Sequence, residues 1–157
     1  MSEPDADGAA PAAAAARALG LQVTLTRHGR VNSLAEAAAA RGIEPRDIVK
    51  TMVVRRGPDD FVFVLVPGDS EIAWPKLRAL LGVSRLSMPD AATARAVTGY
   101  DRGTITPFGA TTAWPVIADE AIAGRRVSMG SGAHGVALAL DADAMLAALH
   151  ATVADIS

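Results

Sequence analysis

The chain has no cysteine, and that absence removes disulfides, zinc ribbons and thiol catalysis together. Its three histidines, His28, His134 and His150, are too scattered to suggest a metal site, so we expect neither a structural metal nor a cofactor. Lysine is nearly missing: of 15 basic residues only Lys50 and Lys76 are lysines. No apolar run approaches the roughly 20 residues that a membrane span needs. The opening Met-Ser-Glu-Pro-Asp lacks the positive segment of a secretory signal, so the expectation is a cytoplasmic protein with no membrane partner. Nor is there a basic excess. A net charge of −2 argues against DNA binding and against any broad nucleic-acid footprint, which needs a basic face. RNA contact, if any, should be local.

What is present is material for a core: 157 residues, half of them hydrophobic, suit one compact domain. Residues 1–10, acidic and built of small residues, read as a disordered tail, with a single domain over 11–157. Pro11 before Ala12–Leu19 and Gly20 behind it have the Pro-first, Gly-last asymmetry of a short helix. Leu21–Arg27 alternates apolar and polar side chains as a half-buried strand does. Ser33 and Glu36 form a capping-box pattern for a helix over Leu34–Arg41 that Gly42 stops. Ile48–Arg55 and Phe61–Val66, separated by Arg56-Gly-Pro-Asp-Asp60, give the strongest hairpin signal. Further along, the pattern predicts a helix over Trp74–Leu81, a strand over Val83–Met88 and a helix over Pro89–Val97. It then predicts strands over Ala113–Ala118, Arg125–Met129 and Val136–Leu140, and a closing helix over Ala142–His150 capped by Asp141. This is an α/β chain of the α+β type: a mixed, largely antiparallel curved sheet or partial barrel with surrounding helices.

Two features carry candidate chemistry. Gly99–Gly109, with three glycines and a proline in eleven residues, is neither a helix nor a central strand; such a loop can present bare backbone N–H groups to a ligand. Lys50 lies inside the apolar run Ile48–Val54, where a lysine is rarely buried without a partner. Gly130-Ser-Gly-Ala-His-Gly135 fits the dinucleotide pattern G-x-G-x-x-G, but that fingerprint needs a helix starting on the motif inside a βαβ unit. Here Val136–Leu140 is strand-like, so the stretch reads as a glycine turn between strands. His28 reads as a turn residue. Ser128, Ser131 and Thr106 sit in no nucleophile elbow and have no assignable His or Asp partner. Trp74 and Trp114, each followed by proline, read as packing residues.

The ordered set Ile48-Val-Lys-Thr-Met-Val-Val54, Phe61-Val-Phe-Val-Leu-Val-Pro-Gly-Asp69, Thr98-Gly-Tyr-Asp-Arg-Gly-Thr-Ile-Thr-Pro-Phe-Gly109 and Gly130-Ser-Gly-Ala-His-Gly-Val-Ala-Leu138 resembles the YbaK/prolyl-tRNA synthetase editing-domain family of aminoacyl-tRNA deacylases. It covers roughly residues 19 to 149. The resemblance implies a trans-editing enzyme that hydrolyses the ester of mischarged tRNA, Cys-tRNA(Pro) or Ala-tRNA(Pro), with the tRNA acceptor end as partner and prolyl-tRNA synthetase as a further one. It also implies Lys50 and Gly103 as catalytic residues. Thr51, Thr104, Ile105, Thr106, Pro107, Gly130, Ser131, Gly132 and His134 are implied to contact substrate. Many relatives carry a basic residue in the last glycine turn where this chain has Ala133-His134, and the Lys50-Thr51 pair resembles the cysteine-specific branch more than the alanine-specific one. The rival reading is a non-catalytic module of the same fold that binds a synthetase, a tRNA end or a small amino-acid-like ligand.

Overall fold

A computed structural model describes residues 6–29 and 31–157. It opens with helix α1, Ala6–Ala18. Ala9, Ala12, Ala13 and Ala16 are all buried along it, the spacing that puts small side chains on one helix face and lets it approach the core closely. This corrects the disordered tail expected over residues 1–10: from Ala6 onward alanine's helix preference and the buried stripe outweigh the polar, Pro/Gly-containing composition, while residues 1–5 lie outside the described part. Pro11 falls inside the helix rather than at its start. Strand β1, Thr24–Arg27, and helix α2, Leu34–Arg41, follow. The Ser33 hydroxyl accepts the Glu36 amide, and left-handed Gly42 (φ 70°) closes α2; the second half of the expected capping box is replaced by a Ser33 hydroxyl–Glu36 carboxylate contact.

Strands β2, Val49–Gly57, and β3, Asp60–Pro67, form the expected hairpin, with Lys50 opposite Val66 and Val53 opposite Phe63. Every residue of β3 from Phe61 to Pro67 is buried, as a central strand with both faces covered requires. Helices α3, Trp74–Leu81, and α4, Ala91–Thr98, come next. Between them Ser87 makes only an isolated bridge with Arg55, which corrects the strand expected over Val83–Met88: Pro89 has no amide to extend the ladder. Strands β4 (Val116–Asp119), β5 (Arg126–Gly130) and β6 (Val136–Asp141), helix α5 (Ala142–Ala148) and the short strand β7 (Thr152–Ala154) complete the chain. Among the described residues no helix is long and apolar enough to cross a membrane.

Among the described residues the strands make two sheets and no closed barrel. One is antiparallel in the order β1-β6-β5; the other, β2-β3-β4-β7, is antiparallel at β2-β3 and parallel beyond it. Their inner faces share a core that includes Phe61, Phe63, Leu65, Phe108, Met129, Leu138 and Met145. Trp114 packs edge-on to Phe61 at 5.3 Å and donates its indole N–H to the Val97 carbonyl, the packing role expected of it.

Tyr100 ties the two glycine-rich segments to this core. Its buried phenol donates to the Phe108 carbonyl at 2.6 Å, and burial keeps that phenol above its ordinary pKa and so protonated. A Cβ on Gly132 would stand 2.5 Å from the Tyr100 ring, and one on Gly109 2.7 Å from its hydroxyl, so both glycines are required by contact as well as by their positive φ. Removing the hydroxyl in Tyr100→Phe strands the Phe108 carbonyl and should lower unfolding stability by about 1–2 kcal/mol, read as a lower midpoint in chemical denaturation. An unchanged midpoint would show that the phenol does not hold the loop.

Candidate active site

Each sheet presents an edge strand to the other: Ile48, the residue just before β2, makes a single parallel bridge with Ser128 of β5. Past that bridge no ladder joins them, and a cleft of about 840 Å³ opens between Val49–Val53 on one side and Gly130 on the other. That volume lies within the usual range of small-molecule sites. The segment Arg102–Gly103 and Ile105 form another wall, and Ala133–Val136 a further one. The loop can lie over the end of β5 because Gly130 has no side chain. A Cβ there would be 2.7 Å from the Ile105 carbonyl oxygen and 2.8 Å from that of Thr104. The Gly132 amide also donates to the Thr104 carbonyl at 2.8 Å. The loop Gly99–Gly109 and the turn Gly130–Gly135 are thus one assembly.

Of the residues proposed from sequence, the fold brings Lys50, Thr51, Gly103, Ile105, Gly130 and His134 to the cleft. Thr104, Thr106, Pro107, Ser131 and Gly132 are not among its lining residues. Thr104 and Thr106 are buried. The Thr104 hydroxyl bonds the Asp101 carbonyl and the Thr106 hydroxyl accepts the Phe108 amide, so both shape the loop from within. Ser131 is fully buried and donates to the Val136 carbonyl at 2.7 Å, closing the turn between β5 and β6. The sequence reading missed His28, Arg41 and Arg102 as lining residues.

Gly103 has φ 90°, and a Cβ on it would meet nothing within 4 Å. Among the described residues, the Gly103 and Ile105 amides have no hydrogen-bond acceptor, whereas the Thr104 amide is used by the Asp101 carbonyl. Bare amides beside a cleft are what an anionic oxygen can use. Lys50 donates from Nζ to the Ser70 carbonyl at 2.6 Å and lies 3.6 Å from the exposed Glu71 carboxylate. Its position follows from register: Lys50 pairs with Val66, and the turn after β3 brings Ser70 back over it.

The lining is electrically one-sided. Arg27, Arg41, Lys50 and Arg102 contribute to it, with His28 and His134, and among the described residues no Asp or Glu does. A chain of net charge −2 therefore holds a local cationic cleft, which concentrates anionic ligands. On its rim Asp101 accepts a charged hydrogen bond from Arg95, and this holds its carboxyl below the ordinary carboxylate value, with a smaller contribution from His134 at 3.5 Å. All three are exposed, so this links α4 to the glycine turn without much stabilisation. Arg41 donates to the Ser128 hydroxyl at 3.1 Å and approaches His28 Nε2 at 3.4 Å. Burial, then the charge of Arg41, hold the His28 imidazole below its ordinary value, the Gly29 backbone opposing this in part.

Two measurements follow from this geometry. Gly103→Ala should cost about 1–2 kcal/mol, the penalty of placing a Cβ in left-handed backbone with free space around it. Gly132→Ala should cost more, because the same penalty is joined by collision with the buried Tyr100 ring; equal losses in denaturation midpoint would contradict it. The second concerns pH. The unfolded chain protonates His28 near pH 6.5, while the folded chain resists until lower pH. Below that value the unfolded state binds more protons, so stability falls as pH drops, and His28→Gln should flatten the fall. An unaltered pH profile for that variant would remove His28 as its source.

Comparison with known proteins agrees with the sequence resemblance. A family model described as aminoacyl-tRNA editing domain matches residues 28–148. Enterococcus faecalis EbsC, a candidate Cys-tRNA(Pro)/Cys-tRNA(Cys) deacylase, is 29% identical over 126 residues, covering 80% of this chain and 77% of its own. The proline–tRNA ligase of Thermosipho africanus is 38% identical over 80 residues, which are 51% of this chain and 14% of the ligase; the chain thus matches only a small part of the ligases it resembles. A solved structure described as a candidate trans-editing enzyme for prolyl-tRNA synthetase superposes with a TM-score of 0.86 at 27% identity, covering 100% of this chain and 99% of that one. With four ordered motifs, the two-sheet fold and more than half of its length matched, the chain belongs to the aminoacyl-tRNA editing-domain family.

Proposed function

We propose that the chain is a trans-acting aminoacyl-tRNA deacylase that hydrolyses the ester of mischarged tRNA, with Cys-tRNA(Pro) or Ala-tRNA(Pro) as substrate. The observation that carries the reading is the cationic cleft, without an acid among its described lining residues, which Lys50, Gly103 and Ile105 all line, the last two with unpaired amides. An aminoacyl-tRNA end is anionic through its phosphates, and its scissile carbonyl becomes an oxyanion when water attacks. The new C–O bond from water forms, a tetrahedral oxyanion develops, and the ribose oxygen leaves with a proton, giving free amino acid and tRNA. Fixed amide donors and a nearby ammonium stabilise that developing charge without reorganising. No serine or cysteine nucleophile is needed: cysteine is absent, and Ser131 is buried against the Val136 carbonyl. In this reading the substrate supplies part of the proton handling through its own ribose hydroxyl or amino-acid group. The EbsC likeness favours the cysteinyl substrate. The low overall charge agrees with recognition limited to the acceptor end, or with help from prolyl-tRNA synthetase in holding the tRNA.

Incubation of the purified chain with Cys-tRNA(Pro), Ala-tRNA(Pro) and other mischarged tRNAs tests this. At least one should be deacylated well above the buffer rate, and Lys50→Ala should lower that rate by about 10²-fold, the scale of losing one preorganised charge-stabilising donor. Gly103→Val should be more damaging to the rate than Thr104→Ala or Thr106→Ala, whose hydroxyls act within the loop. Binding of tRNA ends without any hydrolysis would instead establish the non-catalytic module.

A further inference from the structure

Arg41 is a half-buried guanidinium without an acid. Among the described residues no carboxylate pairs with it; its contacts are the Ser128 hydroxyl and the His28 ring. Burial alone makes its protonated form less comfortable than usual, and a desolvated cation without a partner is a cost that a fold ordinarily offsets with a counter-charge. Asp47, which shares a shallow groove with Arg41, is engaged by Arg125 at 3.5 Å.

The unsatisfied side-chain groups of the residues lining this cleft can all donate a hydrogen bond. Its Nε is buried with no partner, and so are His28 Nδ1 and the Thr51 hydroxyl oxygen. A guanidinium can only donate. Because His28 Nε2 faces an Arg41 donor, the neutral ring carries its proton on Nδ1, which is then a donor too. The threonine hydroxyl supplies a third. All three residues line the same cleft, whose other described lining residues include no acid to answer them.

We infer that Arg41, with His28 and Thr51, forms a subsite in the cleft for one oxyanion group of the ligand, a phosphate or a carboxylate. A neutral polar group would accept the hydrogen bonds but leave the guanidinium charge uncompensated; an oxyanion does both. The unpaired atoms are buried, so binding draws the Arg41 side chain toward the ligand, exchanging its long 3.4 Å contact with His28 for a shorter one. The subsite is a property of the cleft and holds whether or not an ester is cleaved there. If an aminoacyl-tRNA end is the ligand, the group is a backbone phosphate or the carboxylate of an acidic aminoacyl side chain.

The test is calorimetric titration of the full chain with matched pairs of probes: adenosine 5′-monophosphate against adenosine for phosphate, and glutarate against glutaramide for carboxylate. At least one anion should bind about tenfold more tightly than its neutral partner, and the pair that shows the preference names the source. Arg41→Gln should abolish that preference, and Lys76→Gln, which removes a cation held by Asp155 at the far end of the chain, should keep it. The His28 ring resonances should shift on adding the anion to wild type and stay in place in Arg41→Gln. Should Arg41→Gln fail to fold, Arg41→Lys carries the test: it keeps the charge but loses the planar fork, and a reduced preference supports the subsite. Equal binding of charged and neutral probes, or an unchanged preference in the Arg41 variant, overturns it. Neither outcome depends on deacylation, so the subsite and the deacylase reading can fail separately.

Discussion

The cleft depends on a contact that is made once and then given up. Just before β2 begins, Ile48 bridges to Ser128 of β5; had a ladder continued from there, Lys50 and Gly130 would be neighbouring partners in one continuous sheet and there would be no cavity. An open pair of edges exposes unpaired amides and carbonyls, which sheets ordinarily avoid. Here the Arg102–Ile105 segment fills the space beside β5, and the absence of a side chain on Gly130 lets its carbonyls come within a Cβ radius of the strand. Tyr100 then locks that loop through Phe108 and through the face of Gly132. Helix α1 backs the same assembly: Gly109 lies against the Pro11 carbonyl and Gly8 against Ala133. Four glycines on three segments are therefore constrained by one packing problem, the close approach of backbone to backbone and to a tyrosine ring.

What could be read from sequence follows from how local each cause is. The β2–β3 hairpin was legible because apolar runs and turn chemistry are written within twenty residues. Lys50 and the glycine loop stood out because a lysine in a strand and glycines in series violate local preference, which is where functional or strained positions are expected. Strand β7 was not legible: Thr152–Ala154 is three residues long and owes its existence to parallel pairing with β4, a partner 35 residues away. Residues 6–10 read as a tail because composition reports average solubility, whereas one buried alanine stripe decides order. Position in the motif implies substrate contact for Thr104 and Thr106, yet their hydroxyls turn into the loop. Arg41 was hidden for the opposite reason. In sequence it is an ordinary cation in the last turn of a helix, favoured there by the dipole, and only the contact with Ser128, 87 residues on, brings it into the cleft.

The electrostatic asymmetry is a matter of distribution rather than of amount. Seventeen acidic and fifteen basic residues would average to a mildly anionic surface, yet several described acids are committed to caps and ion pairs: Asp90, Asp119 and Asp141 accept helix-start amides, and Asp60 and Asp155 hold Arg56 and Lys76. These roles consume carboxylates away from the cleft. An anionic ligand entering it meets cations in a partly desolvated wall, where Coulomb attraction is several times stronger than between exposed charges.

Lys50 shows how such a cation is kept available. One of its three ammonium protons is held by the Ser70 carbonyl at 2.6 Å, which restricts the long side chain and reduces the rotamer entropy lost on binding. Glu71 at 3.6 Å is beyond hydrogen-bond length and its side chain is 93% exposed, so salt and water screen it. The lysine is thus fixed by a neutral dipole rather than neutralised by a charge. A tight carboxylate partner would have competed with any ligand oxyanion for the same ammonium, whereas a carbonyl leaves the net charge whole and two N–H groups unspent.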